Sequence, residues 1–68
     1  GFNRHGDGEY RHFLFIALGS CGELETQVEV SCLLRYMNQM DRARLIEKLN
    51  REGRMLRTLI SRIEERGL

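Results

Sequence analysis

Proline is absent from the 68 residues, so nothing inside the chain forces a helix to stop. Cysteine is scarce, with Cys21 and Cys32 the only two. In one helix they would stand roughly 16 Å apart along the axis, at about 1.5 Å per residue. A disulfide needs Cα atoms within about 7 Å, so these two cannot pair within that helix. Two readings stay open: reduced thiols that pack as small hydrophobes, or a disulfide between chains. The first fits a reducing, cytoplasmic setting. No apolar run is long enough to span a membrane, so no membrane partner is expected. Histidine is also scarce, with His5 in the expected N-terminal loop and His12 on an outer helix face. A Glu-x-x-His on each of two facing helices, the signature of di-metal bundles, is missing. So are a phosphate loop, a nucleophile elbow, a zinc knuckle and a glycine-rich cofactor fingerprint. These gaps predict no catalytic residue, no metal, no cofactor and no enzyme.

What remains is a short helical chain. Sixty-eight residues allow one small domain, with a poor ratio of surface to volume and a need for a staple or a partner. The chain begins with Gly1, which reads as a processed product, a fragment or a tagged form. Residues 1–8 hold three of the seven glycines and read as a loop or frayed N-terminus. Asp7 is the candidate N-cap of the first helix, and Glu9 suits the positive end of the helix dipole.

Residues 9–68 read as an all-α antiparallel hairpin, with helices at about 9–36 and 39–66. In the first, Tyr10, Leu14, Ala17, Cys21, Leu24 and Val28 recur at a heptad-like spacing. Phe13, Leu18 and Cys32 widen that face. Asn38 can cap the second helix, with Asp41 three positions on in the place of a capping-box acid. In the second helix Ile46, Leu49, Gly53, Leu56, Ile60 and Ile63 form a cleaner seam, flanked by Leu45 and Leu59, and Gly67 is the expected stop. Each arm spans roughly 40 Å at about 1.5 Å per residue.

Gly19 and Gly22 sit in mid-helix, where each costs about 1 kcal/mol relative to Ala. Close approach of another helix would offset that cost. Folding the hairpin near residue 37 brings Gly53 opposite Cys21, so Gly19, Ser20 and Gly22 are expected to face Gly53. Phe15, Ile16, Val30, Leu33 and Leu34 fall off the first seam and predict a second contact surface, an oligomer interface. Two amphipathic helices leave half of each apolar face wet. The hairpin is therefore expected to be half of an up-down four-helix bundle, completed by self-association or by a preceding N-terminal half.

Charge is divided between the arms. Residues 38–66 carry eight basic against five acidic side chains, a net +3, whereas residues 9–36 carry two against four, a net −2. Arg44, Lys48, Arg51, Arg62 and Arg66 fall within one outer sector of the second helix. Such a stripe can track the phosphates of RNA or DNA. The alternative is a solvated face with internal pairs such as Glu47 with Arg51. Tyr10, Phe13 and Tyr36 can stack on bases, although aromatics at helical spacing beside a seam usually belong to a core. Of the acids, Glu25 falls at the margin of the apolar face, where Arg54 is a candidate partner, while Glu23 and Glu29 point away.

The run from Phe13 to Gln27 contains Ala17-Leu18-Gly19-Ser20 and then Glu23-Leu24-Glu25-Thr26-Gln27. With Arg35-Tyr36-Met37 and Gly53-Arg54-Met55-Leu56, it resembles the four-helix-bundle proteins encoded in intervening sequences of bacterial 23S ribosomal RNA genes. That family is similar to the accessory proteins of diversity-generating retroelements. Gly1-Phe2-Asn3-Arg4 looks like the close of the family's second helix, so the resemblance covers about the C-terminal half of a member. Gly22 departs from the pattern, where a helix former is more usual. The resemblance implies an up-down bundle able to form a ring, typically of five subunits, and no established catalysis. The resulting expectation is a non-catalytic assembly protein that binds RNA or DNA through its basic helix face. The alternative is a purely structural oligomerisation module. That alternative has no nucleic-acid role; across the two readings the expected partners are copies of the chain, RNA or DNA in the first, and a helical protein bound through Phe15, Ile16, Leu33 and Leu34 in the second.

Overall fold

The computed structural model describes the backbone of residues 4–67 and the side chains of residues 8–66. Two helices make up the molecule, α1 (Arg4–Leu33) and α2 (Gln39–Gly67). They lie antiparallel: Arg11 near the start of α1 bridges to Glu64 near the end of α2, and Glu29 near the end of α1 bridges to Arg42 at the start of α2. The hairpin measures 53 × 15 × 12 Å, and among the described residues it contains no strand.

The boundaries of α1 differ from those expected. The helix already includes positions 4–8, so the terminal loop assigned to residues 1–8 does not hold there, and position 7 lies inside the helix rather than capping it. With no proline in the segment, the glycines at positions 6 and 8 weaken the helix but do not break it. Residues 1–3 lie outside the described residues.

At its other end α1 stops at Leu33, three residues before Tyr36. Arg35 adopts the left-handed conformation, with φ at 64°. The Arg35 N–H donates to the Cys32 carbonyl at 3.1 Å, and the Tyr36 N–H donates to the Ser31 carbonyl at 2.9 Å. That pair of bonds is a Schellman motif, which usually carries glycine at the left-handed position. An arginine there gives no sign of a helix end in the sequence. The start of α2 is as expected: the Asp41 N–H donates to Asn38 Oδ1 at 2.8 Å, satisfying one of the orphan amides of the first turn.

The core lies at the open end of the hairpin, away from the turn. Leu14, Leu56, Ile60 and Ile63 are buried, and Ala17, Leu18, Cys21 and Leu59 pack against them. The expected α2 seam therefore holds, with Ile46 and Leu49 half-buried towards the turn. The α1 seam is rotated. Tyr10, Phe13 and Leu24 are exposed, and the inward line runs through Leu14, Leu18, Cys21, Glu25, Val28 and Cys32. Both cysteines are free thiols.

The expected meeting of small residues does not occur. Gly53 is buried, but its neighbour across the hairpin is Leu18, whose Cδ1 lies 3.8 Å from where a Cβ on Gly53 would stand. A Cβ on Gly19 or Gly22 would meet nothing within 4 Å, and Ser20 is exposed. One residue of helix turns about 100°, which is enough to carry Gly19 from beside Leu18 out to the surface.

Candidate nucleic-acid interface

All five residues of the basic stripe are exposed on α2. At about 100° per residue they fall within a sector of about 60°, turned away from the buried line of Gly53, Leu56, Ile60 and Ile63. Exposed Met55 sits in the middle of the sector. The stripe persists because each of its positions lies three, four or seven residues from another, on one side of a helix that nothing interrupts.

The five cations differ in their engagement. Arg51 donates to Glu47 at 3.3 Å, the expected pair one turn apart, with both side chains about two-thirds exposed. Such a pair is worth only a few tenths of a kcal/mol, about 0.3–0.5, so it holds Arg51 only loosely. Arg44 reaches back to the Met40 sulfur at 3.9 Å. No ion pair among the described residues engages Lys48 or Arg62.

Other arginines are committed to the fold. Arg42 grips Glu29 through two hydrogen bonds, Nη2 to Oε1 at 2.6 Å and Nε to Oε2 at 3.0 Å. The hydrogen bond to Glu29 and then the charge of that carboxylate hold the Arg42 guanidinium above its ordinary pKa. Glu29 therefore does not point away from the interface as expected. Arg11 bridges to Glu64 at 2.8 Å and lies 4.9 Å from the centre of the Phe15 ring. The pairing expected between Glu25 and Arg54 is not among the ion pairs of the described residues. Arg42 and Arg11 meet the interhelical acids instead.

Two surface hollows flank the stripe, one at each end. Near the open end Tyr10, Leu59, Arg62, Ile63, Glu65 and Arg66 line one of about 510 Å³. Near the turn Tyr36, Met37, Asp41, Arg44, Leu45 and Lys48 line another of about 340 Å³. Each joins one tyrosine to two cations of the stripe. Tyr36 is 83% exposed and belongs to no core. Its place beside Arg44 and Lys48 depends on where the turn falls, which the early end of α1 decides.

The residues expected at a second interface are all exposed, with Leu33 at 81%. Phe15, Ile16, Val30 and Leu33 fall within a sector of about 100° on α1, and Leu34 belongs to the turn. Gly19 and Gly22 share the side of Phe15 and Leu33 and leave open space there.

Among the described residues no group of three His, Cys, Asp or Glu side chains is placed to hold a metal ion, and His12 is exposed on the outer side of α1. His5 lies at a helical position whose side chain is outside the described ones. Among the same residues no helix is long and apolar enough to cross a membrane.

Comparison with characterised proteins gives no match, and none is found with solved structures. A family model does match, over residues 1–58, which takes in α1, the turn and two-thirds of α2 and stops short of Arg62 and Arg66. On that match the chain belongs to the family of 23S rRNA-intervening sequence proteins.

Proposed function

We propose that this hairpin is a non-catalytic nucleic-acid-binding module, whose basic face on α2 lies along a phosphate backbone. The observation that carries this reading is the exposed stripe of Arg44, Lys48, Arg51, Arg62 and Arg66 on one side of one straight helix. Among the described residues Lys48 and Arg62 have no competing ion pair, and Arg51 has only a weak one. From Arg44 to Arg66 the stripe runs about 33 Å at about 1.5 Å per residue. Five phosphate contacts would give a slope of log K against log salt between about −3.5 and −4.5. Reversing Lys48→Glu together with Arg51→Glu tests the reading in a low-salt gel shift. Binding should weaken with helix content unchanged. Equal shifts for variant and wild type would contradict it.

A second reading is favoured by a different observation. Twelve large apolar side chains are exposed among the described residues, against four buried. That imbalance supports a structural module, half of a four-helix bundle completed by a second copy or by further helices of its own chain. The native mass in solution tests it, and a monomer with no further helices would contradict it. The two readings are compatible, because repeating the stripe around an assembly multiplies each weak contact.

A further inference from the structure

We propose that the hairpin tip holds one unpaired base of a single-stranded nucleic acid, stacked on Tyr36, with the flanking phosphates on Arg35, Arg44 and Lys48. This rests on the nucleic-acid reading above and narrows it from nucleic acid in general to single strands.

The tip has the parts such a site needs. Tyr36 offers a ring that is 83% exposed, yet it stands on a fixed backbone. Its N–H is bonded to the Ser31 carbonyl at 2.9 Å, and the residue before it is held by the Cys32 carbonyl at 3.1 Å. Only the side-chain torsions of the tyrosine remain to be ordered on binding, which keeps the entropic cost of stacking low. Tyr36 and Met37 together line two hollows. One, of about 340 Å³, contains Arg44 and Lys48. The other, of about 490 Å³, contains Arg35. Each hollow that Tyr36 lines therefore also carries a cation for a phosphate next to the stacked base. Asp41 is the acid of the first hollow. It sits on the first turn of α2, where the helix dipole favours a carboxylate, and the basic residues around the ring outnumber it three to one.

Arg35, the left-handed residue of the Schellman cap at φ 64°, is exposed and next in sequence to the exposed ring.

Single strands fit this geometry and duplexes do not. In a duplex the faces of the bases are already stacked, and freeing one means unstacking its step. A single strand presents the face of every base, and aromatic platforms beside basic grooves recognise it with little regard to sequence.

The test is fluorescence anisotropy with labelled DNA and RNA strands of about a dozen nucleotides, each single-stranded and as a duplex, in low salt. Tyr36→Leu should weaken single-strand binding by about 5- to 150-fold and leave duplex binding unchanged. Tyr36→Phe, which keeps the ring, should bind like wild type. Arg51→Glu with Arg62→Glu, away from the tip, should weaken both forms. If Tyr36→Leu binds single strands as wild type does while the charge reversal weakens them, the tip site is wrong and the stripe stands. If wild type binds no strand of any kind, the nucleic-acid reading falls, and the tip site with it. Circular dichroism checks that every variant stays helical.

Discussion

Leu18 stands against Gly53, with its Cδ1 3.8 Å from the position a Gly53 Cβ would take, and this is the close contact that a glycine makes across the hairpin. Gly19 and Gly22, which look in sequence like the docking point of the two arms, face open space instead. Their cost to α1 is therefore not offset inside the hairpin, and substitution at each can be assigned a sign.

Gly19→Ala and Gly22→Ala should each stabilise the isolated hairpin by about 1 kcal/mol through helix propensity, a rise in Tm of about 4–8 °C for a domain of this size. Thermal melts followed by circular dichroism measure it. A fall in Tm accompanied by a drop in native mass would instead assign the two glycines to a contact between chains. Gly53→Ala should be close to neutral or mildly stabilising, because its Cβ would meet Leu18 and Arg57 at ordinary contact distances of 3.8 and 3.5 Å.

Truncation in the core should separate from truncation on the surface. Ile60→Ala removes buried volume beside Leu14, Leu56 and Ile63 and should cost about 2–5 kcal/mol, which is enough to unfold most of a hairpin this small. Leu33→Ala, at a residue 81% exposed, should leave the stability of a single hairpin within about 0.5 kcal/mol. Urea melts compare them. A large loss from Leu33→Ala would show that the exposed apolar side of α1 is covered in solution.

The turn offers two opposite changes. Arg35→Gly should stabilise by about 1 kcal/mol, since glycine adopts the left-handed conformation without strain. Asn38→Ala removes the acceptor of the Asp41 N–H and should cost about 0.5–2 kcal/mol. If Arg35→Gly destabilises, something beyond the Schellman geometry holds that side chain.

The parts of the fold that obey helical periodicity are readable in the chain. The Ile46-to-Ile63 seam, the Asn38 cap, the exposure of the basic stripe and the Glu47–Arg51 pair all come from spacing on one helix. The departures have local causes. Tyr10 and Leu24 satisfy a heptad count on α1, but Leu18 and Glu25 satisfy another that shares Leu14, Cys21 and Val28 and is rotated by about 40°, and only the position of α2 chooses between them. Spacing alone carries the first helix on to Tyr36, because the left-handed residue that ends α1 is an arginine. Glu29 looks outward on its own helix because its partner Arg42 lies across the turn, and no spacing within one helix predicts a pair between two. The hollow at the tip is out of reach for the same reason: it joins the turn to the first turns of α2.

Whether the α2 stripe lies along a phosphate backbone is decided by the salt dependence of binding to a nucleic-acid strand. Five phosphate contacts predict a linear fall of log K with log salt, with a slope between about −3.5 and −4.5 for the wild type. The slope should become shallower by about 1.4 to 1.8 when Lys48→Glu and Arg51→Glu remove two phosphate contacts. No measurable binding at about 50 mM salt, or a slope that the double reversal leaves unchanged, would contradict it.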